Sequence, residues 1–119
     1  MIYNYFNVKM LASPDLANSE INMCPIFLQK LEQVGKILNK KLTFSSGYRT
    51  AAHNLKVGGV PVSAHRVGKA ADVICLTGRD KFVFIQACLQ VGITRFGIGR
   101  SFVHIDIDKT KPSKVFLNY

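Results

Sequence analysis

The sequence predicts an α+β fold in which a small, mostly antiparallel sheet is covered by helices. Two long segments carry apolar residues at helical spacing, and shorter segments of alternating apolar and polar residues lie between and after them. A chain of 119 residues is long enough for one hydrophobic core and too short for two. We therefore expect residues 1–119 to form a single domain.

The first predicted helix lies in CPIFLQKLEQVGKILNKK, where Pro25 suits the first turn and apolar residues recur every three or four positions. LTFSS alternates like a short strand. TAAHNLKVGG predicts a short helix that ends at two glycines, and VPVSAH predicts an extended loop because proline is unfavourable inside a helix.

The second half of the chain begins with KAADVIC, which predicts a strand. The second long helix is expected in TGRDKFVFIQACLQVG, where Thr77 precedes Asp80 by three residues in a capping-box pattern. ITRFGIG and FVHIDID resemble two strands joined by the turn RS, and the tail after them is first polar and then apolar.

The net charge of +9 predicts an anionic partner, and nucleic acid, acidic membranes and the bacterial cell wall all qualify. The basic residues are scattered along the chain, so charge alone does not select one of them. No apolar run approaches the roughly 18 residues of a membrane-spanning helix, and the N-terminal residues do not read as a secretory signal. Three cysteines without CxxC spacing argue against a disulfide framework and a thiolate zinc site.

The segment FVHIDID separates apolar from polar side chains. Successive strand residues point to opposite faces of a sheet, so Val103, Ile105 and Ile107 share the face that must meet the helices. The opposite face then carries the remaining four residues, namely Phe102, His104, Asp106 and Asp108. Buried imidazole and carboxylate groups are costly unless they meet water, a partner or a metal.

A second histidine–aspartate pair, His65 and Asp72, lies around Gly68, which allows the chain to fold back. Two imidazoles and one carboxylate form a catalytic zinc shell that leaves one position for water, so His65, Asp72 and His104 are candidate ligands of Zn²⁺. Taken singly, each residue has a simpler explanation, as a hydrogen-bonded histidine or as an aspartate that caps a turn.

The longer pattern SGYRTAAHNLKVGGVPVSAHRVGKAADV, followed by GIGRSFVHIDI, resembles the zinc D-alanyl-D-alanine carboxypeptidase family of peptidoglycan peptidases. That family is related in fold to lysostaphin-type enzymes and to the hedgehog domain. The resemblance runs from about Leu42 to Ile107. It implies that His65, Asp72 and His104 hold zinc and that Arg49 binds or stabilises the oxyanion or carboxylate of the substrate.

The resemblance leaves the catalytic base open. Many relatives carry a glutamate or aspartate three residues before the last zinc histidine, where this chain has Ser101. Asp106 is the best substitute because it shares a strand face with His104, and it is equally well explained as a residue that orients that histidine. Asp108 is a third choice and is expected to face solvent.

The resemblance implies a zinc peptidase that hydrolyses amide bonds in bacterial peptidoglycan peptides, as a carboxypeptidase or an endopeptidase. We expect a monomer with no specific nucleic-acid partner and no membrane span. A small chain without a signal resembles a phage-type endolysin that is made in the cytoplasm and acts on the wall after release. Two alternatives stay open: a hedgehog-like zinc domain without catalysis, suggested by Ser101, and a basic nucleic-acid-binding protein, suggested by the charge.

Overall fold

The computed structural model describes residues 2–118 and confirms the predicted α+β class. Within these residues the helices are α1 (Pro25–Leu38), α2 (Ala51–Lys56) and α3 (Gly78–Gln90), and the strands are β1 (Phe44–Ser46), β2 (Ala70–Ile74), β3 (Arg95–Ile98), β4 (Phe102–Asp106) and β5 (Val115–Leu117). Short 3₁₀ turns lie at Val8–Leu11, Ser19–Asn22 and Ala64–Val67. No helix in this part of the chain has the length and apolar character needed to cross a bilayer.

The five strands form one sheet in the order β1-β2-β4-β3-β5. All neighbouring pairs are antiparallel except β3 and β5, which are parallel. The mostly antiparallel sheet was therefore predicted correctly, whereas β5 was expected only as a tail that changes from polar to apolar. Its three residues are too few to give a recognisable alternation, and its pairing with β3 depends on a contact that sequence spacing does not reveal.

The long helices begin and end where the sequence predicts, within a few residues. Pro25 occupies the first turn of α1, and Asn39 ends the helix in the left-handed conformation with a φ of 49°. The Thr77 hydroxyl accepts a hydrogen bond from the Asp80 backbone N–H at the start of α3. The apolar faces of α1 and α3 meet over the sheet, so the periodicity that predicts the helices also builds the core.

Strand β4 divides the core from the functional face. Val103 and Ile105 are fully buried in the hydrophobic core, as the alternation predicts, and His104 and Asp106 point to the other face. Cys75 and Cys88 are also buried and free, and burial raises the pKa of the Cys75 thiol to about 11. These two thiols are therefore core residues.

Candidate metal centre

Three separate elements bring His65, Asp72 and His104 together. Asp72 in β2 and His104 in β4 are directly paired across the two central strands. His65 lies in the 3₁₀ turn, where the Ser63 hydroxyl accepts a hydrogen bond from the His65 backbone N–H. Gly68 ends this turn with a φ of 70°, a conformation that glycine adopts without strain, and the chain reverses there into β2. All three side chains are buried.

The spacing of the three side chains matches a zinc coordination shell. His65 Nε2 lies 3.3 Å from Asp72 Oδ1 and 3.3 Å from His104 Nδ1, and the distance from His104 Nδ1 to Asp72 Oδ1 is 2.9 Å. Ligand atoms around tetrahedral zinc lie about 3.3 Å apart, because bonds of about 2.0–2.2 Å diverge at the tetrahedral angle. The donor set and its spacing therefore fit Zn²⁺.

Hydrogen bonds on the far side of each imidazole select the nitrogen that faces the cluster. His65 Nδ1 lies 2.7 Å from the Gly47 carbonyl oxygen, and His104 Nε2 lies 2.8 Å from Asp106 Oδ2. Because these acceptors require N–H groups, His65 Nε2 and His104 Nδ1 are the nitrogens available to a metal. A metal-ligating histidine commonly has a carbonyl or carboxylate partner of this kind, so the surroundings of the cluster also fit zinc.

Both oxygens of Asp106 are already engaged by protein groups. Oδ2 accepts from His104, and Oδ1 accepts from Arg95 Nε at 2.7 Å and from the Asp108 backbone N–H at 3.1 Å. Burial alone would raise the pKa of Asp106, but these hydrogen bonds outweigh it and the pKa is lowered. Asp106 is thus an ionised carboxylate, held between Arg95 and His104.

The same network sets the charges of the ligands. Burial opposes ionisation of Asp72, but its hydrogen bonds to His104 and His65 are stronger and hold its pKa well below the ordinary value. Burial would lower the pKa of His104, whereas hydrogen bonds to Asp106 and Asp72 raise it above 6.5. The electrostatic surroundings therefore favour positive charge at the centre of the cluster.

Arg49 is fixed beside the cluster by three side chains. Its Nε donates to Ser46 Oγ at 3.1 Å, Nη1 donates to Asn54 Oδ1 at 3.3 Å, and Nη2 lies 3.4 Å from Asp72 Oδ2. Gly59 is required nearby, because a Cβ there would lie 2.0 Å from Asn54 Oδ1. The guanidinium group is held in one orientation next to the cluster, as a group that binds a substrate anion requires.

The cluster opens into a cleft of about 580 Å³. Its residues come from the metal centre, from the loop between α2 and the 3₁₀ turn, and from the segment after β4; they include Arg49, Val57, Gly59, Val60, His65, Arg95, His104, Asp106, Lys111, Leu117 and Asn118. The cleft brings basic side chains and the candidate ligands His65 and His104 close to the apolar side chains of Val57, Val60 and Leu117. A peptide could therefore reach the cluster from solvent.

A family model described as Peptidase M15 matches residues 4–108. The chain belongs to the peptidase M15 family. No curated protein matches the chain significantly. Peptidases of the M15 family are zinc-dependent, so the family and the donor geometry point independently to the same ion. The chain thus belongs to a family of zinc metallopeptidases, and it contains a cluster of side chains that could hold a metal ion.

The structure brings the five predicted site residues, Arg49, His65, Asp72, His104 and Asp106, together in one place and adds a sixth, Arg95. Arg49 and Asp106 each contact one of the candidate metal ligands, whereas Ser101 lies in the exposed turn between β3 and β4. The expectation that Asp108 faces solvent was wrong: it is 7% exposed and bonded to Lys111 and Thr110. Both partners follow β4 in a segment whose contacts the alternation along FVHIDID does not predict.

Sequence reasoning missed Arg95, which is 6% exposed and directly opposite Asp106 in the register of β3 and β4. The signal was present in the sequence. A hairpin in which ITRFGIG and FVHIDID are joined by the two-residue turn RS pairs position 95 with position 106. A basic residue facing an acidic one across neighbouring strands indicates an ion pair.

Proposed function

We propose that this protein is a zinc-dependent peptidase that hydrolyses amide bonds in the peptides of bacterial peptidoglycan. One observation carries the proposal: two imidazole nitrogens and a carboxylate oxygen lie at zinc-ligand spacing, and both imidazoles line an open cleft. Membership of the M15 family supports peptide hydrolysis, and the resemblance of the SGYR and SxHxxGxAAD motifs supports the wall peptide as substrate.

In this proposal His65, Asp72 and His104 would hold the ion. A zinc ion there would supply Lewis acidity, polarising the scissile carbonyl and lowering the pKa of a water ligand toward about 7. Arg49 donates to the carbonyl oxygen as negative charge develops, or to a substrate carboxylate. Its anchoring by Ser46 and Asn54 keeps the guanidinium oriented without reorganisation.

We assign Asp106 the role of positioning His104. Its carboxylate meets His104 on Nε2, the nitrogen opposite the one that faces the cluster, and both of its oxygens accept hydrogen bonds from the protein. A general base needs a free lone pair directed at the proton that it removes. The contacts therefore favour orientation of the ligand over proton abstraction.

The charge of the chain supports an anionic cell-wall target. Sixteen basic residues against seven acidic ones give a positive surface that would attract a negatively charged polymer, with a strength that falls as salt rises. Hydrolysis of an amide in that polymer adds one water across the C–N bond and leaves a new carboxylate and a new amine. The new amine is the product that an assay can detect.

The test compares wild type with His65→Ala and with His53→Ala, a control outside the cluster on α2. Elemental analysis should find one zinc per chain in wild type and the control, and a loss of zinc in His65→Ala. Incubation with purified peptidoglycan should release new amino groups only with the two zinc-containing proteins. Equal zinc content in all three proteins would overturn the ligand assignment.

A second candidate function is a zinc-binding domain without catalysis, which is favoured by Ser101 at the position where relatives carry an acid. This alternative predicts the same zinc content and no release of amino groups from any type of peptidoglycan. Digestion of walls with different cross-bridges distinguishes it from a peptidase that is specific for one kind of bond.

A further inference from the structure

The family match ends at residue 108, but the cleft does not. Lys111, Leu117 and Asn118 line it together with residues of the metal centre. We propose that the segment from Lys109 to Asn118, named here the C-terminal wall, determines which peptides the cleft accepts, and that Lys111 positions this wall against the opposite rim. The proposal deepens the proposed function and rests on it for the identity of the substrate.

Lys111 connects the two sides of the cleft. Its ammonium group donates to the Val62 carbonyl oxygen at 2.6 Å and forms an ion pair with Asp108 Oδ2 at 2.5 Å. Val62 belongs to the loop of residues 57–63, named here the rim loop, which follows α2. The Lys111 side chain therefore connects the rim loop to Asp108, which follows β4 and lies next to Asp106.

The rim loop is anchored at its other end by Asn54. The Asn54 side-chain amide donates to the Val60 carbonyl oxygen at 2.8 Å, and the Gly59 backbone N–H donates to the Asn54 carbonyl oxygen at 2.8 Å. Asn54 is buried and also contacts Arg49. The rim loop is thus held on one side by Asn54, which also contacts Arg49, and on the other side by the Lys111 contact to Val62. Loss of the Lys111 contact would leave only the Asn54 side held.

The C-terminal wall is itself attached to the metal-site support. Arg95, which holds Asp106, also donates through Nη1 to the Pro112 carbonyl oxygen. Strand β5 then pairs in parallel with β3, and Gly97 of β3 is in register with both Leu117 and His104. The wall consequently has a fixed position relative to the cluster, which a specificity determinant requires.

The two rims present similar chemistry to a substrate. The rim loop contributes Val57 and Val60, and the wall contributes Leu117. Val60 is 59% exposed and Val57 is 50% exposed, so apolar area is available beside the basic side chains of the cleft. An aliphatic side chain next to the scissile bond would bury this area, whereas glycine would leave it in water. We infer that the wall selects peptides with an aliphatic residue there.

The positioning role is tested with zinc-loaded Lys111→Met, which keeps an apolar stem and removes the ammonium group. Lys109→Met is the matched control, because Lys109 is exposed and lies outside the cleft lining. Hydrogen exchange of the Ser63 amide, which donates to the Val60 carbonyl oxygen next to the Lys111 contact, should accelerate about fivefold or more in Lys111→Met alone, since loop opening exposes it. Lys111→Arg should restore protection because it keeps a donor. Equal exchange rates in Lys111→Met and Lys109→Met would overturn the proposal that Lys111 holds the rim loop.

The specificity role is tested separately with Leu117→Ala, which leaves the Lys111 contact to Val62 intact. Phe116→Ala, on the opposite face of β5, is its control. With synthetic stem peptides that differ only in an aliphatic residue or glycine beside the cleaved bond, Leu117→Ala should raise KM for the aliphatic peptide about threefold or more at unchanged kcat and zinc content. Equal KM values in the two variants would overturn the wall as a specificity determinant.

The failure of the proposal is distinguishable from failure of the proposed function. A wild-type protein that binds zinc and cleaves no peptide would refute the peptidase assignment and with it the substrate-selecting role of the wall. The exchange experiment needs no substrate, so it would still decide whether Lys111 holds the rim loop.

Discussion

Replacing Asp106 by asparagine tests the support of the metal centre. The carboxylate accepts from His104 on one oxygen and from Arg95 and the Asp108 backbone on the other. The asparagine amide has one acceptor oxygen and one donor nitrogen, so it cannot accept on both sides. If its NH₂ group faces His104, the imidazole must place its proton on Nδ1, the nitrogen that a metal would use; if it faces Arg95, two donors meet.

The expected loss of zinc affinity follows from this conflict. Removing the outer hydrogen-bond partner of a ligating histidine costs about 10- to 100-fold in metal affinity, or about 1.4–2.7 kcal/mol. Competition with a chromophoric zinc chelator at fixed pH measures this change directly. Asp108→Asn is the matched control, because its backbone N–H, which contacts Asp106, is retained and its carboxylate contacts Lys111 and Thr110 rather than His104.

The alternative role makes a different prediction for the same variant. A general base at Asp106 would leave zinc affinity within about twofold of wild type and lower kcat by about 10²- to 10⁴-fold in the zinc-saturated protein. Retention of wild-type zinc affinity in Asp106→Asn would therefore refute the positioning argument. A fall in affinity equal to that of Asp108→Asn would refute it as well, because the effect would then not pass through His104.

Three further outcomes are expected. Arg49→Lys, assayed by peptide cleavage at saturating zinc, should lower kcat/KM about 10²-fold or more with zinc content unchanged, because an ammonium group cannot reproduce the guanidinium contacts to Ser46 and Asn54; wild-type kcat/KM would exclude its role. As the pH is lowered, zinc affinity measured by chelator competition should fall about tenfold per pH unit for each proton that zinc must displace. The pKa of His104 is raised, so this fall should begin above pH 6.5, and Asp72, whose pKa is lowered, should add no competition near neutrality. Zinc at about 1,000 times its Kd should stabilise the fold by about 4 kcal/mol and raise Tm by about 12–20 °C relative to protein in EDTA, as measured by calorimetry; an unchanged Tm would argue against a site in the folded state.

Much of the site was predictable because it lies on regular strands. Alternation along FVHIDID assigns Val103 and Ile105 to the core and His104 to the opposite face, and the structure agrees. The helices follow from their apolar periodicity and their caps. The Arg95–Asp106 pair was within reach of the same reasoning, since the predicted two-residue turn fixes which positions face each other.

Other contacts were beyond sequence reasoning for a physical reason. The acceptor for His65 is the backbone carbonyl of Gly47, a group that every residue possesses and that no pattern marks. The pairing of β5 with β3 and the contact of Lys111 with Val62 join segments far apart in the chain. Such contacts depend on how loops pack, and spacing rules apply only within single elements and short hairpins.

Because core residues and site residues alternate along β4, the positions of the site residues depend on correct packing of the core. A slip of this strand by one residue would move Val103 and Ile105 out of the hydrophobic core and move His104 and Asp106 into it, because side chains alternate with a period of two. Burial of Val103 and Ile105 therefore fixes the register of β4 and with it the positions of His104 and Asp106. Misaligned chains would lose stability and activity together, so a long-lived folded form with a scrambled site is not expected.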